Sequence, residues 1–100
     1  MAQKIYKLFV SKRLLEPWYQ LSKGEQDELL AKIDKALEQV GAKQLILCNS
    51  LWSSEHVMFF GIDEYPDIEA EQKLTQLLTE FSLFRYIETE TVLGTEWQPS

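Results

Sequence analysis

The sequence is poor in the residues from which many sites are built. One cysteine, Cys48, and one histidine, His56, stand in 100 residues. An intramolecular disulfide is therefore excluded, and so is a structural zinc site, which needs several Cys or His ligands. A lone thiol inside the apolar run "LILC" reads as a buried, inert side chain in a reducing compartment. Hydrophobic runs are short, and none approaches the roughly 18 residues of a membrane span. The opening "MAQKIYKLFVSKR" lacks the apolar core and small-residue cleavage site of a signal peptide. The expectation is a cytoplasmic protein with no membrane partner. Basic residues are scarce in the second half: residues 1–50 carry eight Lys/Arg against six Asp/Glu, whereas residues 51–100 carry two against ten. An overall charge of −6 repels phosphate backbones, and the group Lys4, Lys7, Lys12 and Arg13 is too dispersed to reverse that, so no nucleic-acid partner is expected. There is no Gly-rich phosphate loop, no nucleophile elbow and no Ser/His/Asp order, and nothing implies a cofactor or a metal.

Apolar residues are plentiful. They make up 45% of the chain, enough for one domain spanning residues 1–100. "KIYKLFV", Lys4 to Val10, is rich in β-branched and aromatic residues and reads as a central strand. In the connection that follows, Pro17 breaks any continuing helix. Ser22 and Glu25 form the S-x-x-E pattern of a capping box, and a stripe of Leu29, Leu30, Ile33, Ala36, Leu37 and Val40 marks an amphipathic helix that Gly41 ends. "KQLILCN", Lys43 to Asn49, is a second strand, and Val57 to Ile62 a third, joined through "SLWSSE". Asp67 caps a second helix over about Ile68 to Phe81, with Ala70, Leu74, Leu77, Leu78 and Phe81 inward. A last strand, roughly Arg85 to Leu93, alternates Tyr86, Glu88 and Glu90 with Ile87, Thr89, Thr91 and Leu93, the pattern of an edge. The tail carrying Trp97 reads as irregular. The order β-α-β-β-α-β with right-handed crossovers gives an α+β, ferredoxin-like sandwich: four antiparallel strands with two helices on one face.

Two helices cover one sheet face. Strands 1, 2 and 3 are nevertheless apolar on both parities, which leaves more exposed apolar surface than a monomer tolerates. A second copy packed through the open sheet face, a homodimer, is the expected cover.

At this point "HVMFFGIDEYPDIEAEQKL", an apolar strand running into an acidic helix start, together with the two-faced strands, resembles the dimeric α+β barrel superfamily. With "EPWYQLSKGE" between strand 1 and the first helix, the chain is similar to small uncharacterised proteins of that group. The resemblance covers nearly the whole chain. It implies chemistry, where there is any, in a cleft between sheet and helices, and a range from haem-degrading and cofactor-free quinol monooxygenases to lactone isomerases and members with no known reaction. Strand 1 has no asparagine, a departure from the haem-degrading pattern.

Residues able to line such a cleft are Tyr6, Trp18, Tyr19, Asn49, Trp52, His56, Arg85 and Tyr86. Trp18 and Tyr19 roof it or cap the end of the core. His56 is the candidate general base, against the commoner case of a solvated strand-end histidine. Trp52 suits an oligomer contact better than catalysis. Arg85 holds an anionic ligand or pairs with a nearby acid. Glu88 and Glu90 share one face of the last strand, where a solvated edge is the ordinary reading and a catalytic carboxylate pair the rarer one. Two functions follow: binding of an apolar or aromatic small molecule, with oxygenase or isomerase activity as its enzymatic form, or a non-catalytic interaction module.

Overall fold

The computed structural model describes residues 3–97, and within them the chain runs β1 (Ile5–Leu14), α1 (Glu16–Tyr19), α2 (Lys23–Gln39), β2 (Lys43–Asn49), β3 (Phe59–Tyr65), α3 (Ile68–Glu80), a 3-10 turn (Leu83–Arg85) and β4 (Ile87–Gly94). The strands form one antiparallel sheet in the order β2-β3-β1-β4. This is the expected ferredoxin-like arrangement, with β1 central and β4 at an edge. Residues 1–2 and 98–100 lie outside the described residues. No helix among the described residues is long and apolar enough to cross a membrane.

Local chemistry sets the boundaries. Ser22 Oγ accepts from Glu25 N at 3.1 Å, and Ser22 N donates to Glu25 Oε1 at 2.9 Å, so two N-terminal donors of α2 are satisfied reciprocally. Those bonds hold the Glu25 carboxyl below its ordinary pKa. At the other end Gly41, at φ +75°, lets Ala42 N reach Leu37 O (2.9 Å) and Gly41 N reach Glu38 O (3.1 Å), a Schellman closure. Asp67 Oδ1 caps α3 by accepting from Ala70 N at 2.8 Å.

Several boundaries correct the sequence reading. β1 continues past Val10 to Leu14, because a bulge at Lys12 lets Arg13 and Leu14 keep pairing with β4, where Lys12 meets Glu90 and Arg13 meets Glu88. Pro17 does not break a helix but sits in the first turn of α1, where its missing N–H costs nothing. β3 is Phe59–Tyr65 rather than Val57 to Ile62, so His56 does not open a strand; it lies in the β2–β3 loop. The residues assigned to the start of β4 are spent on the 3-10 turn, entered through Ser82 in the left-handed region (φ 58°). Cys48 is half-exposed rather than buried, and Leu30 and Trp97 face solvent.

The register sorts side chains into rows across the sheet. On the open face run Lys43–Glu64–Tyr6, then Ile46–Ile62–Leu8–Val92, then Cys48–Phe60–Val10–Glu90. On the helix face run Ile5–Tyr65, Gln44–Asp63–Lys7–Leu93, Leu47–Gly61–Phe9–Thr91 and Asn49–Phe59–Ser11–Thr89. The core is centred on Tyr65, Ala36, Leu74 and Leu78, where the end of β3 meets α2 and α3. Gly61 is required by close approach: a Cβ there would stand 2.5 Å from Phe9 Cζ and 2.7 Å from the Ile46 carbonyl oxygen. The Phe9 ring fills the missing side chain's place and meets Phe59 edge-on, with centroids 6.4 Å apart.

Candidate functional site

Two places hold chemically distinctive side chains. The first is a shallow groove of about 170 Å³ between the N-terminal half of α2 and the end of α3, lined by Leu21, Glu25, Glu28, Leu29, Lys32, Phe81 and Tyr86. Leu15 N donates to Tyr86 O at 2.8 Å, which ties the start of α1 to the entrance of β4. That bond brings the Trp18 and Tyr86 rings into edge-to-face contact, 6.4 Å between centroids at 71°. Gln26 donates from Nε2 to Trp18 O at 3.1 Å and fixes α1 against α2. The groove therefore has an apolar and aromatic floor and a rim of two glutamates and one lysine.

The second place is a buried polar cluster. Lys7 Nζ lies 3.1 Å from Glu71 Oε2, and Thr75 Oγ1 donates to the same oxygen at 2.8 Å. The Lys7 ammonium also stands 5.8 Å from the centre of the Tyr65 ring. Tyr65 donates its hydroxyl to Asp63 Oδ2 at 3.4 Å, while Asp63 Oδ1, also buried, finds no hydrogen-bond donor among the described residues. Burial pushes the Asp63 carboxyl above its ordinary pKa, with Lys7, Tyr65 and Gln44 opposing that rise. Burial, then the neighbouring Asp63 and Glu71, raises the Tyr65 phenol as well. One cation thus faces two carboxylates in a place closed to solvent.

The eight residues proposed from sequence do not meet at one point. Trp18 and Tyr86 meet, and Arg85 is exposed in the turn beside them. Tyr19 faces solvent at the end of α1. Asn49 ends β2, and Trp52 and His56 lie in the β2–β3 loop: Asn49 Oδ1 accepts from Leu51 N at 2.9 Å, His56 N donates to Ser54 Oγ at 3.1 Å, and Trp52 is 83% exposed. Tyr6 lies on the opposite, open face and donates to Glu64 Oε1 at 3.2 Å. Glu88 and Glu90 share that face, each paired with a β1 cation rather than with each other. Lys7, Asp63 and Glu71 escaped the sequence reading, although a signal existed. Lys7 and Asp63 occupy inward parity on strands whose inward residues are mostly apolar, and Glu71 stands three and seven residues before Leu74 and Leu78, on the inward stripe of α3.

No protein-family model and no curated protein sequence matches the chain. Solved structures do. Chlorite dismutase from Candidatus Nitrospira defluvii in complex with imidazole superposes with a TM-score of 0.71 at 14% identity, over 96% of this chain and 41% of that one. A doubly substituted form of the same enzyme gives 0.72, also at 14% identity, with the same coverage. A protein of unknown function from Rhodopseudomonas palustris gives 0.64 at 18% identity, over 99% of this chain and 86% of that one. The chain shares the fold of these structures, an α+β ferredoxin-like sandwich. It spans about two fifths of the length of the chlorite dismutase chain, and at these identities the likeness concerns fold alone. The one histidine, His56, is exposed in the β2–β3 loop, so among the described residues no imidazole stands between sheet and helices. Nor do three or more His, Cys, Asp or Glu side chains converge as metal ligands among the described residues.

Proposed function

We propose that the protein is a single-domain, homodimeric α+β barrel that binds a small apolar or aromatic molecule in the cleft between sheet and helices. The observation that carries the dimer is the unbroken aliphatic row Ile46–Ile62–Leu8–Val92, which crosses all four strands on the face that no helix covers. The row Cys48–Phe60–Val10 runs beside it. Ion pairs flank both, with Lys4–Glu64 at one end and Lys12–Glu90 and Arg13–Glu88 at the other. An apolar centre within a polar rim is the anatomy of an interface, and because the rim charges are paired within the protomer a second copy adds no uncompensated charge. The groove lined by Leu21, Leu29, Phe81 and Tyr86, with the Trp18 ring edge-on to Tyr86, supports the ligand reading: flat rings and apolar floors hold flat apolar molecules. The free Cys48 suits a reducing, cytoplasmic setting.

Native mass spectrometry of the protein purified from cells tests both parts. A dimer that Val92→Lys converts to monomer is the expected result, and additional retained mass that disappears in Trp18→Ala would place the ligand. A wild-type monomer would overturn the dimer.

A second reading, a proton-transferring enzyme of the isomerase kind, is favoured by the buried Asp63 beside Lys7. It predicts turnover that survives His56→Ala and is lost in Asp63→Asn.

A further inference from the structure

The two edges of the sheet are built differently. An exposed edge offers a row of unpaired backbone donors and acceptors to any extended chain, and proteins blunt it with charge, proline, bulges or a cover. β4 does so with Glu88 and Glu90, each joined to a cation on β1. β2 has little protection. Its middle residues Leu45, Ile46 and Leu47 are 52%, 51% and 54% exposed, with only Lys43 at its start and a register shift at Leu45 to discourage pairing. Beyond its end the loop presents Leu51 and Trp52, the latter almost wholly exposed.

That loop is not slack. Ser53 N and Ser54 N both donate to Ser50 O, at 3.1 and 2.9 Å, and Ser54 Oγ accepts from His56 N and Val57 N at 3.1 Å each. Ser50 N donates to Met58 O at 3.0 Å, and Met58 N to Ser11 O at 2.9 Å, which anchors the base of the loop to the central strand. An apolar pair held out by so many bonds loses little further freedom on binding.

We propose that β2 is a pairing edge and that its partner is β2 of a second copy, antiparallel and centred on Ile46. The middle of the strand is self-complementary in that register: Ile46 lies opposite itself and Leu45 opposite Leu47 of the partner subunit, while the bulge beyond Leu45 takes Gln44 and Lys43 out of the pairing. Aliphatic side chains meet aliphatic ones at the centre, and no like charges face each other. The pairing has the isologous symmetry of a two-fold interface and brings the Trp52 loop toward Gly41 of the partner subunit. This interface uses the strand's outer edge rather than the open sheet face, although Ile46 borders both, and the two operating together give an assembly larger than a dimer.

Light scattering of the intact protein, of Leu47→Lys (edge) and of Val92→Lys (open face) tests it, with circular dichroism to confirm that each variant folds. The expected result is that Leu47→Lys lowers the assembly mass whatever Val92→Lys does. An assembly that Val92→Lys dissociates and Leu47→Lys leaves intact overturns the edge while preserving the face. The converse preserves the edge and removes the face. A wild-type monomer overturns both. A second measurement fixes the register: in a Cys48→Ser background, Leu45→Cys and Leu47→Cys proteins should form a disulfide-linked pair only when mixed, since opposed residues on antiparallel strands bring their Cα atoms within bridging range. No link on mixing, or links of each protein with itself, would overturn the register centred on Ile46.

Discussion

The ammonium of Lys7, on the central strand, and the carboxylate of Glu71, on α3, lie 3.1 Å apart with side chains 8% and 9% exposed. The pair joins the sheet to α3 across the interior. Removing one member of a buried pair strands the other's charge, at a cost of about 3–5 kcal/mol, whereas replacing both by apolar groups is often nearly neutral. Lys7→Met should therefore lower unfolding stability by about that amount, and Lys7→Met/Glu71→Leu should recover most of it. Urea unfolding of the wild type, Lys7→Met, Glu71→Leu and the double variant reads the coupling; additive losses would mean that the ions do not interact.

Asp63 gives the stability a pH dependence of definite sign. Its folded pKa is raised by burial above the unfolded value, so its ionisation opposes folding. The associated stability is full below the unfolded pKa, about 4, and is lost as pH rises toward the raised value. Asp63→Asn cannot ionise. Measured between pH 3.5 and pH 7, the stability difference should move steadily in favour of the variant, whatever offset it starts from. A constant difference would show that Asp63 titrates as it does in the unfolded chain.

Gly61→Ala should destabilise the protein by about 1–3 kcal/mol, the usual range for overpacking. The added methyl meets both the Phe9 ring and the Ile46 carbonyl oxygen, and although a ring can swing aside, the paired backbone cannot. Phe9→Leu in the same chain should relieve only part of the loss, leaving the backbone clash; thermal unfolding of both variants beside the wild type checks it.

Ser22→Ala removes half of the capping box of α2 and should cost about 1 kcal/mol. Because Glu25 is held below its ordinary pKa, its stabilising share exists above the unfolded pKa and fades as pH falls through the depressed one. The wild type's advantage should thus narrow in acid, as the melting temperatures of the two proteins at pH 7 and pH 3 would show.

Most of the fold was legible because local signals and global pattern agreed. Ser22 with Glu25, Gly41 and Asp67 each mark a helix end by its own chemistry, and β2 falls on the expected residues. Misreadings fall where tertiary pairing decides. Nothing local shows that Ser11 to Leu14 remain a strand after a bulge; β4 supplies that from about 75 residues downstream. The site was less legible. Trp18 and Tyr86 meet through a backbone bond between distant segments, while Asn49 and His56, at the two ends of one short loop, are committed to holding it. Lys7, Asp63 and Glu71 pass as ordinary surface charges until the register places them in one layer.

The pairing of β1 with β4 also sets a timetable. Tyr6 aligns with Gly94, so the sheet joins its first strand to its last across nearly the whole chain. During synthesis β1 and β3 can meet as soon as Tyr65 has emerged, but until residue 94 follows, the central strand is itself an edge. Contacts of such long sequence separation close slowly, and β1 is apolar on the side that faces away from the helices. The nascent chain therefore passes through an interval in which two open edges, not one, invite the wrong neighbour, and the arrival of the charged strand β4 ends it for one of them.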